Sequence, residues 1–144
     1  MWKGSTRKRP LQETDYARLK RALCGGSGAA CLNEADLEAL RGGEAAFFWE
    51  SPLAASAEEA AAMARQAARE MAPAPGRVVL AVVLYVAADA RAGLSAVDAV
   101  AAVIQRELPV EGIILFGAGT GDGQGIRFLL AASEGRAAGR GEAQ

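Results

Sequence analysis

The sequence contains no histidine, and that absence removes the commonest general base near neutral pH. Serine-hydrolase and cysteine-protease arrangements therefore lack their usual partner. Cysteine is nearly as scarce. Cys24 and Cys31 stand alone in a glycine-rich stretch, and with no histidine or second cysteine pair beside them no metal site is expected. Two reduced cytosolic thiols are the plain reading. Neither sign of charge is in excess, with 16 Lys and Arg against 17 Asp and Glu, so no global field draws DNA, RNA or acidic lipid. Long hydrophobic runs are missing too. The longest, Val78 to Ala88, falls far short of the ~20 residues that span a bilayer. Lys3, Arg7, Lys8 and Arg9 precede a polar stretch instead of an apolar one, so no secretory signal is read and a cytoplasmic location is expected.

What is present suits one α+β domain. The 144 residues are 51% hydrophobic and 23% charged, an ordinary globular balance that argues against wholesale disorder. RVVLAVVLYVA (77–87) is a continuous valine-rich run of the kind that fills a strand buried on both faces. In LSAVDAVAAVIQREL (94–108), Val97, Val100, Ile104 and Leu108 share one helical face, and Pro109 stops the helix. Ser95 is the expected N-cap there, with Asp98 at the third helical position. GIILFGAG (112–119) and GIRFLLAAS (125–133) read as strands joined by a short glycine-rich hairpin.

Upstream, EAAFFWESP (44–52) is a strand closed by Pro52, and Phe47, Phe48 and Trp49 must point to alternate faces. That pattern can put one aromatic at an edge or contact surface, but packing in the core is the expected reading. Ser56 with Glu59 forms a capping box for an alanine-rich helix to about Met71, with Met63, Ala67 and Met71 on its buried face. The expected architecture is a two-layer sandwich, a four-stranded mixed sheet (near 44–50, 77–87, 112–118 and 125–133) with two main helices (57–71 and 95–108) packed on one face. Short helices near 12–23 and 34–41 should lie at one end. Residues 1–10 read as a flexible basic arm, 11–30 as a short helix and Gly-rich linker, 31–133 as the domain, and 134–144 as a flexible tail.

The series from CLNEAD (31–36) through LNEADLEALRGGEAAFFWESPLAASAEEAAAMARQAARE (32–70), the VDAVAAVIQ helix and IILFGA to the last strand resembles the C-terminal domain of the tubulin/FtsZ family. The likeness covers about residues 31–133 in unbroken order. It implies that CLNEAD occupies the place of the family's catalytic loop, whose acids position the water that attacks GTP in the next subunit of a filament. Here that motif keeps only its last acid, Asp36, with Cys31 and Asn33 at the positions of the family's Asn and first Asp. Asn33 is also a good N-cap and Asp36 a favourable third helical residue, so capping alone accounts for both.

GAGTGDGQG (117–125) invites a phosphate-loop reading, but a strand pattern follows it where a helix N-terminus is needed. Only about 30 residues precede the loop segment, too few for the family's GTP-binding domain. The resemblance therefore implies a non-catalytic FtsZ-like interaction domain without cofactor. It would bind FtsZ or an FtsZ-like filament in cell division and modulate or cap its assembly, with no nucleic-acid or membrane partner. Leu32, Asn33, Glu34, Asp36 and Leu37 are the expected partner-binding residues. Three alternatives stay open. One is a self-associating scaffold, a possible homo-oligomer. Another is an enzyme using carboxylates such as Glu34, Asp36, Glu38 or Asp89 at a subunit interface. The last is a basic arm that touches nucleic acid.

Overall fold

A computed structural model describes residues 8–24, 37–88, 93–120 and 125–136. Its centre is a five-stranded mixed sheet, built from β1 (Arg9–Pro10), β2 (Ala45–Glu50), β3 (Arg77–Ala88), β4 (Ile113–Thr120) and β5 (Ile126–Arg136) in the order β1-β2-β5-β3-β4. Helices α1 (Glu13–Cys24), α2 (Ala57–Glu70) and α3 (Gly93–Glu107) and a 3-10 turn (Glu38–Arg41) complete the described elements. The α+β class and the mixed sheet under two main helices are as expected, with one strand more.

β3 owes its length to its composition. Val82, Leu84 and Val86 face the two main helices, while Val83 faces the other way, and all four are buried. A strand covered on both sides needs no alternation of polar and apolar residues. β4 runs parallel to β3 in unbroken register, from Ala81 opposite Ile113 to Ala88 opposite Thr120. Helix α3 is the crossover that this parallel pair requires. Its apolar face is the one predicted, with Val97, Val100, Ile104 and Leu108 in the core. The helix begins at Gly93, two residues ahead of the expected Ser95 cap, and Ser95 is exposed.

The expected hairpin between the last two strands does not form. β5 pairs antiparallel with β3 on one side and β2 on the other, whereas β4 lies across β3. Burial explains the order. From Phe128 to Gly135 every residue of β5 is buried, which demands neighbours on both flanks. β4, with Ile113 and Ile114 exposed, takes the edge. β5 also continues to Arg136, past the expected tail boundary, because Glu134 and Gly135 are still paired with Ala45 and Val78.

Two apolar clusters flank the sheet. The larger joins α2 and α3 to Trp49, Leu84, Ile126, Phe128 and Leu130, and Trp49 stacks on Phe128 with ring centroids 5.5 Å apart. The Ser56 capping box is present: the Glu59 N–H donates to Ser56 Oγ at 3.1 Å, and Glu59 Oε1 accepts from the Ala55 N–H. α2 buries Ala60, Ala64, Ala67 and Ala68 in this cluster, with Met71 at its C-cap, while Met63 is only partly buried. The smaller cluster joins Tyr16, Leu19 and Leu23 of α1 to Leu37, Leu40, Phe48, Val83 and Leu129. The two short helical segments thus cover the second face of the sheet instead of lying at one end. An amphipathic stripe such as Tyr16, Leu19, Leu23 has to be buried somewhere, and the apolar outer faces of β2, β3 and β5 are where it fits.

Candidate interaction surface

Of the five residues expected to bind a partner, only Leu37 lies within the described part. Leu32, Asn33, Glu34 and Asp36 lie outside it. Leu37 is not offered to a partner: its side chain is fully buried in the smaller cluster beside Leu40. An apolar residue next to a polar loop can face either way from sequence, and here the uncovered sheet face claims it. Leu37 is a buried root for the chain just after residues 31–36.

That root is fixed on two sides. The Tyr16 hydroxyl donates to Glu38 Oε2 at 3.3 Å, and Arg41 donates to Glu13 Oε1 at 2.9 Å while its guanidinium lies 4.0 Å over the Tyr16 ring. From the sheet side the Ser133 hydroxyl reaches the Ala39 carbonyl at 3.4 Å. Gly42 and Gly43 then return the chain to β2. The Gly42 N–H closes the turn on the Ala39 carbonyl, and the backbone at Gly43 passes so close to Glu134 that an added Cβ would sit 2.6 Å from its carbonyl oxygen. Only glycine fits that approach.

A second feature escapes sequence reasoning. Asp15 and Glu50 are buried carboxylates, each gripped by a two-point arginine. Arg9 donates to both oxygens of Asp15 at 2.6 and 2.9 Å, and Arg18 to both oxygens of Glu50 at 3.1 and 2.9 Å. The Gln12 N–H adds a third donor to Asp15 at 2.9 Å. Both guanidinium groups lie over the Phe48 ring, at 4.9 and 5.9 Å. Burial pushes the Asp15 carboxyl upward, but the hydrogen bonds from Arg9 and the Gln12 backbone, with the arginine charges, outweigh it and hold the group below its ordinary value. The hydrogen bond to Glu50 holds the Arg18 guanidinium above its own.

The end of the basic arm is likewise committed. Lys8 pairs with the buried Glu134 at 2.8 Å and lies 4.2 Å over Phe47, while Arg9 and Pro10 pair with β2. The expected flexibility does not extend to these three residues, because a cation with a buried carboxylate beneath it is drawn onto the sheet. Two of the four arm cations are therefore spent inside the molecule, which weakens the arm as a nucleic-acid contact. The one faint sequence signal was Asp15 itself, at the third position of a helix, where a carboxylate can accept from the helix N-terminus. Nothing marked Glu50 or Glu134, whose partners lie far away in the chain.

Asp15, Glu50 and Glu134 are each tied to a cation, and Glu38 accepts from Tyr16. Among the described residues no three carboxylates or thiols converge on a point that could hold a metal ion. No described helix is long and apolar enough to cross a membrane. The glycine run gives no described phosphate cradle, since Gly117 and Gly119 lie within β4 and Ile126 opens a strand.

Comparison with known proteins adds the fold. No protein-family description and no curated protein matches the sequence. The structure is similar to that of a single-site mutant of FtsZ from M. jannaschii, with a TM-score of 0.57 and 19% identity. The match covers 84% of this chain and 39% of that one. The chain therefore has an FtsZ-like fold over most of its length and spans well under half of the FtsZ chain.

Proposed function

We propose that this domain is a non-catalytic FtsZ-like interaction module. It binds FtsZ or an FtsZ-like filament through the segment around Leu32, Asn33, Glu34 and Asp36, and modulates or caps assembly in cell division. What supports the reading is the FtsZ-like fold, taken with the position of residues 31–36 in the sequence, just ahead of the buried Leu37. In the resembling family that segment meets the nucleotide face of the neighbouring subunit. A chain matching 39% of an FtsZ subunit, added in trans, fills one side of such a head-to-tail contact and stops its propagation.

The test is sedimentation of FtsZ from the same source with GTP, with and without the 144-residue chain. Substoichiometric loss of pelleted FtsZ is expected, relieved by Asp36→Arg or Leu32→Glu. Undiminished polymer at a several-fold excess of the chain would remove the capping claim. Co-pelleting without loss would replace it with lateral binding.

A further inference from the structure

The two edges of the sheet are built in opposite ways. At one edge β1 is two residues long, contains Pro10 and is flanked by Lys8. A short edge with proline and cations resists pairing with another chain. At the other edge β4 presents eight residues, all in register with β3 and without a bulge. Its sequence, IILFGAGT, carries no charge and no proline. Ile113 is 46% and Ile114 36% exposed, and among the described residues no strand pairs with the outer side of β4. An unblunted strand of this kind is a template for a further strand.

We propose that the strand it takes is β4 of a second copy, antiparallel and centred on Phe116, joining two sheets into one about a two-fold axis. The argument for a second copy is self-complementarity. In a symmetric antiparallel pair a strand meets its own reverse, so any charged residue near the centre would sit close to its own like charge. β4 has none. Centring on Phe116 also matches size to size. Ile113 falls opposite Gly119 and Leu115 opposite Gly117 on the α1 side; on the α2 and α3 side Ile114 falls opposite Ala118 and Phe116 opposite its own copy. Centring one residue further along, on Gly117, would leave Ile113 without a partner inside the strand and put glycine against glycine on the axis. The contact is small beside the ~1,600 Å² of a standard interface, so the dimer is a weak one that forms at high protein concentration. This inference does not rest on the filament reading, and either can fail alone.

The test is sedimentation equilibrium across a wide range of chain concentrations, without FtsZ. The apparent mass should climb from one chain towards two. Leu115→Lys, one residue from the axis and so beside its own copy, should hold it at one chain with an unchanged circular dichroism spectrum. In a background carrying Cys24→Ser and Cys31→Ser, Phe116→Cys should give an oxidised dimer, whereas Ile113→Cys, far from its own copy in this register, should not. A monomer at every concentration overturns the proposal, as does a dimer that Leu115→Lys leaves intact. Crosslinking through Ile113→Cys and not through Phe116→Cys overturns the register.

Discussion

At the scale of single residues, the apolar cluster on the second face of the sheet is flanked by charged pairs that lie over Phe48. Asp15 is the most telling. Its carboxyl is held below its ordinary value, so it stabilises the fold fully above the unfolded-state value of about 3.9. That contribution is lost as pH falls through the lower folded-state value. Asp15→Ala strands the Arg9 guanidinium and the Gln12 N–H, and we expect it to cost about 2 kcal/mol at neutral pH. Urea titrations over a pH series should show the gap between wild type and Asp15→Ala narrowing in acid and constant above about pH 5. A gap that widens in acid would mean that the carboxylate is not the stabilising form.

Trp49 makes a different point at the same scale. Its ring is buried against Phe128, yet its indole N–H has no hydrogen-bond partner among the described residues. Trp49→Phe removes that orphaned donor while keeping an aromatic stack, so it should cost far less than the about 3 to 5 kcal/mol typical of Trp→Ala. Thermal melts of the two variants decide this. From sequence, the run Phe47, Phe48, Trp49 already implied alternate faces, and the structure divides Phe48 and Trp49 between the two clusters. Which face each took could not be read, because it depends on the register of β2 against β5, a pairing across about 80 residues of chain.

At the scale of elements, local signals were legible and pairings were not. The capping box at Ser56, the buried stripe of α3 and the apolar run of β3 each lie within a few residues of chain, and each appears as expected. Ser56→Ala should accordingly cost about 1 kcal/mol, seen as a lowered denaturation midpoint with an unchanged slope. The β4–β5 hairpin failed because proximity in sequence favours pairing, whereas the burial of β5 on both faces and both edges is a property of the whole sheet. β1 was invisible for a similar reason. Two residues have no periodicity, and what holds them is pairing with Phe47 and Phe48 of β2, far along the chain, with Asp15 gripping Arg9. The root of the candidate site also belongs here. Leu37→Ala should destabilise the fold by about 2 to 5 kcal/mol, as a buried leucine does, and so is unsuited as a binding variant. Leu32→Glu should leave stability nearly untouched if its side chain belongs to the contact surface.

At the scale of the whole molecule, an FtsZ-like sheet carries a helical layer on one face and, on the other, α1 with the 3-10 turn Glu38–Arg41. The order of elements along the chain was enough to suggest that fold, because an ordered series constrains more than any single Ala- and Val-rich motif. The candidate contact residues are a harder matter. Their types, an asparagine and two acids on a short polar stretch, suit capping and recognition alike, and only a partner distinguishes the two.

The proposed engagement of FtsZ through Leu32, Asn33, Glu34 and Asp36 is tested best by direct binding. The folded chain would be titrated into FtsZ from the same source with a slowly hydrolysed GTP analogue, and the heat of association recorded. Saturable binding, abolished by Asp36→Arg at unchanged thermal stability, is the predicted result. No heat from a chain whose circular dichroism shows it folded, or binding that Asp36→Arg leaves unaltered, would contradict the account.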